Sequence, residues 1–437
     1  MASRNRDSGF SLLEMLTALA VVSVVLLASL TLVDGARRVT TTQSGVAEMQ
    51  GNFRIAESEV VRRLHLAGLG GLRQTIPPDL ADGSPAGLFP RGLALAVDNN
   101  VETGAHAGDA STPAVVAGTD MVTVRGVFST PVYYLEPQLP VSLVDGRMTA
   151  VLQRDVDLGL VQDLEPLRKA LRTAKEEDLH EAVIVRDRFN PGAYAVLELD
   201  LAATSPGSDD DPTLAIGLIL GGTPGTQEYA DEYGRLTLGT TLLQGAGGPQ
   251  VTLPDGTVVQ LPSVIGTLGL LEEYRYYVRE DWEIPGDSSS RPTPRLARTR
   301  FYPGTGAVHP EGTADLVDGI IDLQLALGVD LPPRDGQIVD GGDELDEVLY
   351  NHPSDDDGLD PPATGAWAVD GAQLLFVRLT VVAQARHPDR EFAGVILGKI
   401  EDHDHAKTDD LSVFNRDPNH KVRKRGQQTI VEMRNLP

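Results

Sequence analysis

The stretch Gly9-Phe10-Ser11-Leu12-Leu13-Glu14-Met15-Leu16 opens an apolar run that reaches Val33. A short polar leader precedes this run, and Glu14 is the only charged side chain between positions 10 and 33. Because about 20 apolar residues span a bilayer as an α-helix, the run predicts a membrane-spanning helix. An ionisable group inside such a span is costly, so Glu14 marks a functional position.

These residues resemble the class III signal of type IV pilins and pseudopilins. In that family a glycine precedes a phenylalanine, and a glutamate is the fifth residue after the cut; Gly9, Phe10 and Glu14 match. The resemblance implies that a prepilin peptidase removes the leader 1–9 and methylates the new amine of Phe10. It also implies that Glu14 pairs with the N-terminus of a neighbouring subunit during filament assembly. The alternative is an ordinary signal anchor that contains one glutamate, since a cleaved secretory signal is cut after its apolar core.

The segment 34–70 continues the helix as an amphipathic half. Its apolar residues recur mostly at steps of three, four or seven, which is a helical stripe; they are Val39, Val46, Met49, Phe53, Val60 and Leu64. Gly68, Gly70 and Gly71 are expected to end the helix, as glycine commonly does. We expect the stripe to pack under a sheet, with a coiled-coil partner as the alternative.

Composition excludes several classes of protein. The chain has 37 basic and 63 acidic residues and a formal net charge of −26, so it repels nucleic acid and anionic lipid heads. Cysteine is absent, which excludes disulfides and thiolate metal sites. Abundant glycine and proline with few aromatics predict many turns and a β-rich domain.

The remaining residues, 71–437, predict a β-rich globular head, and the fold class is α+β with an antiparallel sheet. The predicted strands alternate or are β-branched; they are Leu93–Val97, Met121–Val127, Val132–Leu135, Ala182–Arg186, Tyr194–Leu199, Thr213–Leu220 and Arg235–Leu243. A helix is predicted at Leu164–His180 and a hairpin around Asp255-Gly256. Glu272–Arg279 and Leu296–Tyr302 are expected to pair as strands.

The later head is similar to PilW-type minor pilins over about 270–437. The similarity is carried by the order of short motifs; they are Tyr274–Val278, Arg298–Tyr302, Leu316–Ile320, Leu323–Asp330, the long strand Gln373–Ala385 and the closing Val431–Leu436. It implies a basic strand, a helix at Leu316–Ile320 that leads into a strand, a long strand, and a final strand ending in Arg-Asn. The J-type minor pseudopilin of type II secretion shares this architecture. The middle of the head, about 100–260, aligns with neither and is interpreted as an insertion.

Acidic loops offer candidate cation ligands. Asp335, Asp340, Asp343 and Asp346 could supply oxygens to calcium, but no EF-hand register fits, and we favour a solvated loop. Asp209-Asp210-Asp211 could likewise be calcium ligands or a solvated loop, and we again favour the solvated loop. Glu401–His405 offers two imidazoles and carboxylates to a transition metal, against the favoured alternative of an exposed turn.

A basic run near the C-terminus interrupts this acidic chain. Lys421, Arg423, Lys424 and Arg425 could dock an acidic face of a neighbouring subunit, or could be solvated charges that protect a sheet edge. The sequence has no His-Glu-x-x-His, Gly-x-Ser-x-Gly or P-loop motif, so we expect no enzymatic activity.

Together these features predict a low-copy minor pilin that primes or caps a type IV pilus. It would be anchored once in the inner membrane, with its head in the periplasm, and then join a pilus or pseudopilus. Its partners would be the prepilin peptidase, inner-membrane lipid, other minor pilins, the major pilin and a tip adhesin. The alternatives are a minor pseudopilin of type II secretion and a membrane-anchored surface protein that binds calcium or carbohydrate.

Overall fold

A long N-terminal helix followed by a large antiparallel β-rich head makes the fold α+β, as predicted. The computed structural model describes residues 11–72, 94–102, 104–108, 112–135, 142–144, 147–156, 160–179, 181–187, 194–219, 247–252, 258–262, 265–282, 292–303, 307–330, 347–350, 373–386, 399–401, 403–404 and 423–433. The predicted strand Arg235–Leu243 lies outside these residues.

Helix α1 (Leu12–Leu66) has 55 residues and is about 80 Å long at 1.5 Å per residue. Its side chains are exposed from Leu12 to Thr41. Only its last third buries a face, which is formed by Met49, Phe53, Ala56, Val60 and Leu64. These residues follow one another at three- or four-residue steps, as an amphipathic helix requires. The predicted stripe extended too far, because Val39 is 56% exposed.

Glycines end α1, as predicted. The helix stops at Leu66, and Gly70 adopts a φ of +105°. A Cβ at Gly70 would lie 2.9 Å from Cγ2 of Ile184, so a side chain at this position would be strained and would also clash. The chain then runs beside the head, where the Val127 amide donates to the Leu69 carbonyl at 3.0 Å.

The head contains 21 strands and one further helix in the described ranges. The strands are β1 (Leu95–Asp98), β2 (Met121–Gly126), β3 (Tyr133–Tyr134), β4 (Ser142–Val144), β5 (Arg147–Gln153), β6 (Asp155–Val156), β7 (Leu160–Val161), β8 (Ala182–Asp187), β9 (Tyr194–Ser205), β10 (Thr213–Ile219), β11 (Gly247–Thr252), β12 (Val258–Pro262), β13 (Ile265–Trp282), β14 (Pro292–Phe301), β15 (Val308–Asp318), β16 (Ile320–Asp330), β17 (Glu347–Tyr350), β18 (Gln373–Gln384), β19 (Lys399–Ile400), β20 (His403–Asp404) and β21 (Lys424–Glu432). Helix α2 spans Glu165–Glu177.

All strand pairs among these residues are antiparallel. The larger sheet has 11 strands and runs β1-β2-β13-β8-β9-β10-β5-β4, with β3 and β14 also paired to β13, and β15 paired to β14. The second sheet runs β17-β16-β18-β21. The predicted pairing of the strands around Tyr276 and Arg298 is confirmed, since these two residues are direct partners. The predicted hairpin of β11 and β12 is also confirmed.

Strand β13 is the element shared by two cores. Its first half pairs with β8 and β3, and its second half pairs with β2 and β14. The first core lies between α1 and both sheets, and it includes Phe53, Val124, Leu325 and Leu379. The second core lies under α2 and includes Leu167, Leu171, Leu197, Ile216 and Leu270. The domain boundaries proposed from the sequence, including the insertion at about 100–260, stay predictions.

The segment Leu316–Ile320 is not the helix that the family resemblance implied. Residues 308–318 form strand β15, which pairs with β14, and Gly319 turns the chain into β16. Gly319 has a φ of +77°, and its amide donates to the Pro294 carbonyl at 2.7 Å. Pairing with β14 satisfies the backbone of this segment, so the expected helix is wrong.

Truncating Phe53 to alanine tests the docking of α1. Phe53 is 2% exposed, so we expect the variant to lose about 3–5 kcal/mol of head stability. Ile55→Ala is the matched control, because Ile55 is 50% exposed on the opposite side of the same turns. Urea unfolding of the full-length mature chain in detergent, followed by circular dichroism, measures both. Equal losses in the two variants would contradict this docking.

Candidate functional site

The candidate site is α1, beginning with its first turn. Gly9 and Phe10 lie outside the described residues. Ser11 caps the helix: its Oγ accepts from the Glu14 amide at 3.2 Å, and its own amide donates to Glu14 Oε2 at 3.0 Å. This reciprocal capping box holds the carboxylate at the helix N-terminus, where the helix dipole favours a negative charge.

Beyond that turn the helix presents a bare apolar surface. It is the one helix in the described ranges that is long and apolar enough to cross a membrane, and the side chains of its apolar part are exposed. Its few hydroxyls bond to the helix backbone, as Thr17 does to the Leu13 carbonyl at 3.0 Å and Ser23 to the Leu19 carbonyl at 2.8 Å. Glu14 is the one charged side chain on this apolar surface between Leu12 and Val33.

Where α1 meets the head, two glutamates fix its position. Arg298 donates to Glu59 Oε1 at 2.6 Å, and the Tyr276 hydroxyl donates to the same oxygen at 3.2 Å. Two residues earlier, about half a helical turn away, Glu57 accepts from the side chains of Gln427, at 2.6 Å, and Thr429. The two sheets therefore hold the same stretch of helix through adjacent carboxylates.

Electrostatics stabilise the ionised form of Glu59. Burial alone would raise the pKa of Glu59, but the charges of Arg298 and Arg63 and the hydrogen bonds hold it below its ordinary value of 4.5. The guanidinium groups of Arg63 and Arg298 also flank the ring of Tyr274, at 4.6 and 4.8 Å from its centre. This end of the helix is thus held by both charge and stacking.

Buried ion pairs link the strands of the large sheet. Glu181 accepts from Arg300 at 2.8 and 3.0 Å and from His309 at 3.2 Å. Burial would raise the pKa of Glu181, yet the His309 hydrogen bond and the Arg300 charge keep it below its ordinary value. Because His309 Nδ1 accepts from the Glu311 amide, its Nε2 carries the proton that faces Glu181.

A second buried cluster joins β2 to β13. Arg125 donates to Glu273 at 2.6 Å and Arg275 donates to Glu273 at 2.9 Å, and these side chains are at most 3% exposed. Nearby, burial raises the pKa of Asp98 to about 6, although the Arg275 charge opposes the shift. Sequence reasoning missed both clusters; the one available signal was the density of arginine and glutamate in predicted strands.

The candidate metal ligands find no support among the described residues. Asp335, Asp340, Asp343 and Asp346 lie outside them, so the calcium hypothesis stays a prediction. No group of three His, Cys, Asp or Glu side chains in the described ranges is placed to hold a metal ion.

The loop that contains Asp209 and Asp211 is held by arginines. Asp209 pairs with Arg172, and the guanidinium of Arg168 donates to the backbone carbonyls of Asp211, at 2.6 Å, and Thr213, at 2.8 Å. The loop nevertheless stays solvated, as favoured, because residues 207–210 are exposed and the Asp209 side chain is 64% exposed.

The sequence favoured an exposed turn at Glu401–His405, and this prediction is wrong for Glu401. Glu401 is 3% exposed and accepts from Arg378 at 2.5 and 3.0 Å. Strand β18 places Arg378 on this face of the four-stranded sheet, and Glu401 packs against the sheet because it forms an ion pair with that arginine. That contact joins residues 23 positions apart, and spacing alone could not show it.

The basic run lies at the start of the last strand. Lys424 and Arg425 pair with Gln384 and Ala383 of β18, so they begin a strand at the sheet edge. Arg423 precedes it, and its carbonyl accepts from the Ala385 amide at 2.8 Å. Lys421 lies outside the described residues, and docking by this run stays a prediction.

Comparison with known proteins gives one match. A family model described as the prokaryotic N-terminal methylation motif matches residues 4–30. The chain therefore carries a type IV pilin-like signal. No curated protein and no solved structure matches the chain. The match covers residues 4–9 of the expected leader and the apolar start of α1, and it supports a pilin- or pseudopilin-type protein that is processed at its N-terminus and anchored by α1.

Replacing Glu59 with glutamine tests the joint between helix and head. The folded state lowers the pKa of Glu59, so its stabilising contribution is present above pH 4.5 and is lost as the pH falls towards the lowered pKa. We expect Glu59→Gln to cost about 1 kcal/mol at pH 7, the upper end for partly exposed ion pairs, and less at pH 3.5. Melting temperatures of both proteins between pH 3.5 and 8 provide the measurement. A difference that does not shrink at low pH would show that the Glu59 charge is not what holds the helix.

Proposed function

We propose that this protein is a minor pilin of the PilW type, a low-copy structural subunit that primes or caps a type IV pilus. One observation carries the proposal: a single carboxylate, Glu14, stands in the first turn of a helix that is otherwise bare and uncharged to Val33. The methylation motif over residues 4–30 supports the same role.

The proposed pathway begins at the inner membrane. A prepilin peptidase cuts after Gly9 and methylates the amine of Phe10, while the apolar half of α1 stays in the bilayer and the head lies in the periplasm. The subunit then leaves the membrane and places this helix in the filament core, beside the helices of other minor pilins and the major pilin. A large head, with a second core that contains no α1 residue, suits a rare subunit at the tip, beneath an adhesin, better than the repeating one.

The capping box explains how Glu14 is tolerated before assembly. An isolated carboxylate costs about 2.5–3.5 kcal/mol at the centre of a membrane helix. The Ser11 amide and the helix dipole offset part of that cost. A neighbour's terminal amine would offset more, and it would favour one axial stagger between subunits, which is the proposed assembly role of Glu14.

Glu14→Leu tests this role. We expect insertion, processing and head folding to be unchanged, and incorporation into filaments to fall by roughly tenfold or more, since 1.4 kcal/mol of lost pairing already gives a factor of ten. The variant replaces the wild type in the host, and the subunit is quantified in sheared filaments and in pull-downs of the other minor pilins.

Ser23→Leu is the matched control, because it removes a polar side chain from the same exposed helix without touching the first turn. It should assemble like the wild type. Undiminished incorporation of Glu14→Leu, at equal membrane levels, would overturn the assembly role. Recovery of the wild type with secretion pseudopili and not with pili would assign the subunit to type II secretion.

A further inference from the structure

Four hydrogen bonds from neighbouring side chains hold the carboxylate of Glu401. Its Oε1 accepts from Arg378 Nε, Thr380 Oγ1 and Gln428 Nε2, each at 3.0 Å, and its Oε2 accepts from Arg378 Nη2 at 2.5 Å. The three donor residues belong to β18 and β21. An arginine fork with two further side-chain donors is an arrangement that recognises one carboxylate.

The site lies on the face of the sheet away from α1. Gln427 and Thr429 contact Glu57 of the helix, so Gln428, between them on the strand, points to the opposite face. Within the described strands β21 is the edge of this sheet, and Ile430, the register partner of Arg378, is 61% exposed. A neighbouring molecule can therefore approach the site from the edge.

The segment that presents Glu401 is weakly built. It joins β19 and β20, which have two residues each. Glu401 itself has a φ of +49°, in the left-handed region that strains residues with a side chain.

We propose that Arg378, Thr380 and Gln428 form a carboxylate-binding site, that Glu401 fills it in the free subunit, and that an acidic side chain of a neighbouring subunit replaces Glu401 on assembly. This rests on the proposed function. Simple opening is disfavoured, because the Arg378 side chain is only 11% exposed and would lose its counter-charge. Exchange keeps an ion pair on Arg378 and returns the Glu401 carboxylate to water. Charge complementarity selects the occupant, because an arginine fork with two neutral side-chain donors binds a carboxylate.

Two variants with opposite expected effects on incorporation into filaments test the exchange. Glu401→Gln weakens the internal ligand, so it should raise incorporation into filaments several-fold in competition with the wild type. Arg378→Met removes the site, so it should lower incorporation several-fold. If the ion pair were merely structural, both variants would lose stability and both would assemble less well. That outcome would overturn the proposal. Absence of the wild type from filaments would instead count against the proposed function.

A small-molecule probe tests the site without assembly. In the mature full-length chain in detergent, Glu401→Ala should bind N-acetylglutamate amide, seen as a saturable rise in melting temperature. The wild type should show no rise at the same concentration, because Glu401 fills the site. The double variant Arg378→Met/Glu401→Ala should show none, because the arginine is gone. No rise in Glu401→Ala, or an equal rise in the double variant, would contradict a carboxylate site.

Discussion

Burial of one face of α1, between Met49 and Leu64, is the contact on which the head depends. Both sheets reach this face, and the first core is built around it. Four large buried side chains on the helix, Met49, Phe53, Val60 and Leu64, each contribute about 1.5–3 kcal/mol when fully buried and supply much of that core's stability. The same packing stops near Gly45, which leaves the first part of the helix free for membrane or filament.

Polar contacts set the position of the helix once the apolar face has docked. Apolar packing alone tolerates small shifts along a helix, whereas Glu57 and Glu59 each need particular donors on particular strands. The buried clusters act in the same way within the large sheet: Glu181 ties β14 and β15 to the start of β8, and Glu273 ties β13 to β2. Such pairs are costly to break because one charge would stay buried.

Local patterns in the sequence predicted the long helix, its glycine end, α2 and most strands of the large sheet. They failed where long-range pairing decides the structure. The segment before Gly319 is a strand because β14 lies beside it, and Glu401 is buried because Arg378 needs a counter-charge. Val39 has the spacing of a core residue, yet the head does not extend that far. Strands β4, β6 and β7 have only two or three residues each, too few for an alternating pattern.

The bare first part of α1, charged only at Glu14 as far as Val33, is proposed to be the filament-forming part of a processed subunit, and the N-terminus itself tests this most directly. Intact-mass spectrometry of the subunit recovered from sheared filaments should show a chain that begins at Phe10 and carries one added methyl group. The methylation motif over residues 4–30 supports this expectation. A subunit recovered with the leader 1–9 still attached, from a host with an active prepilin peptidase, would contradict the account.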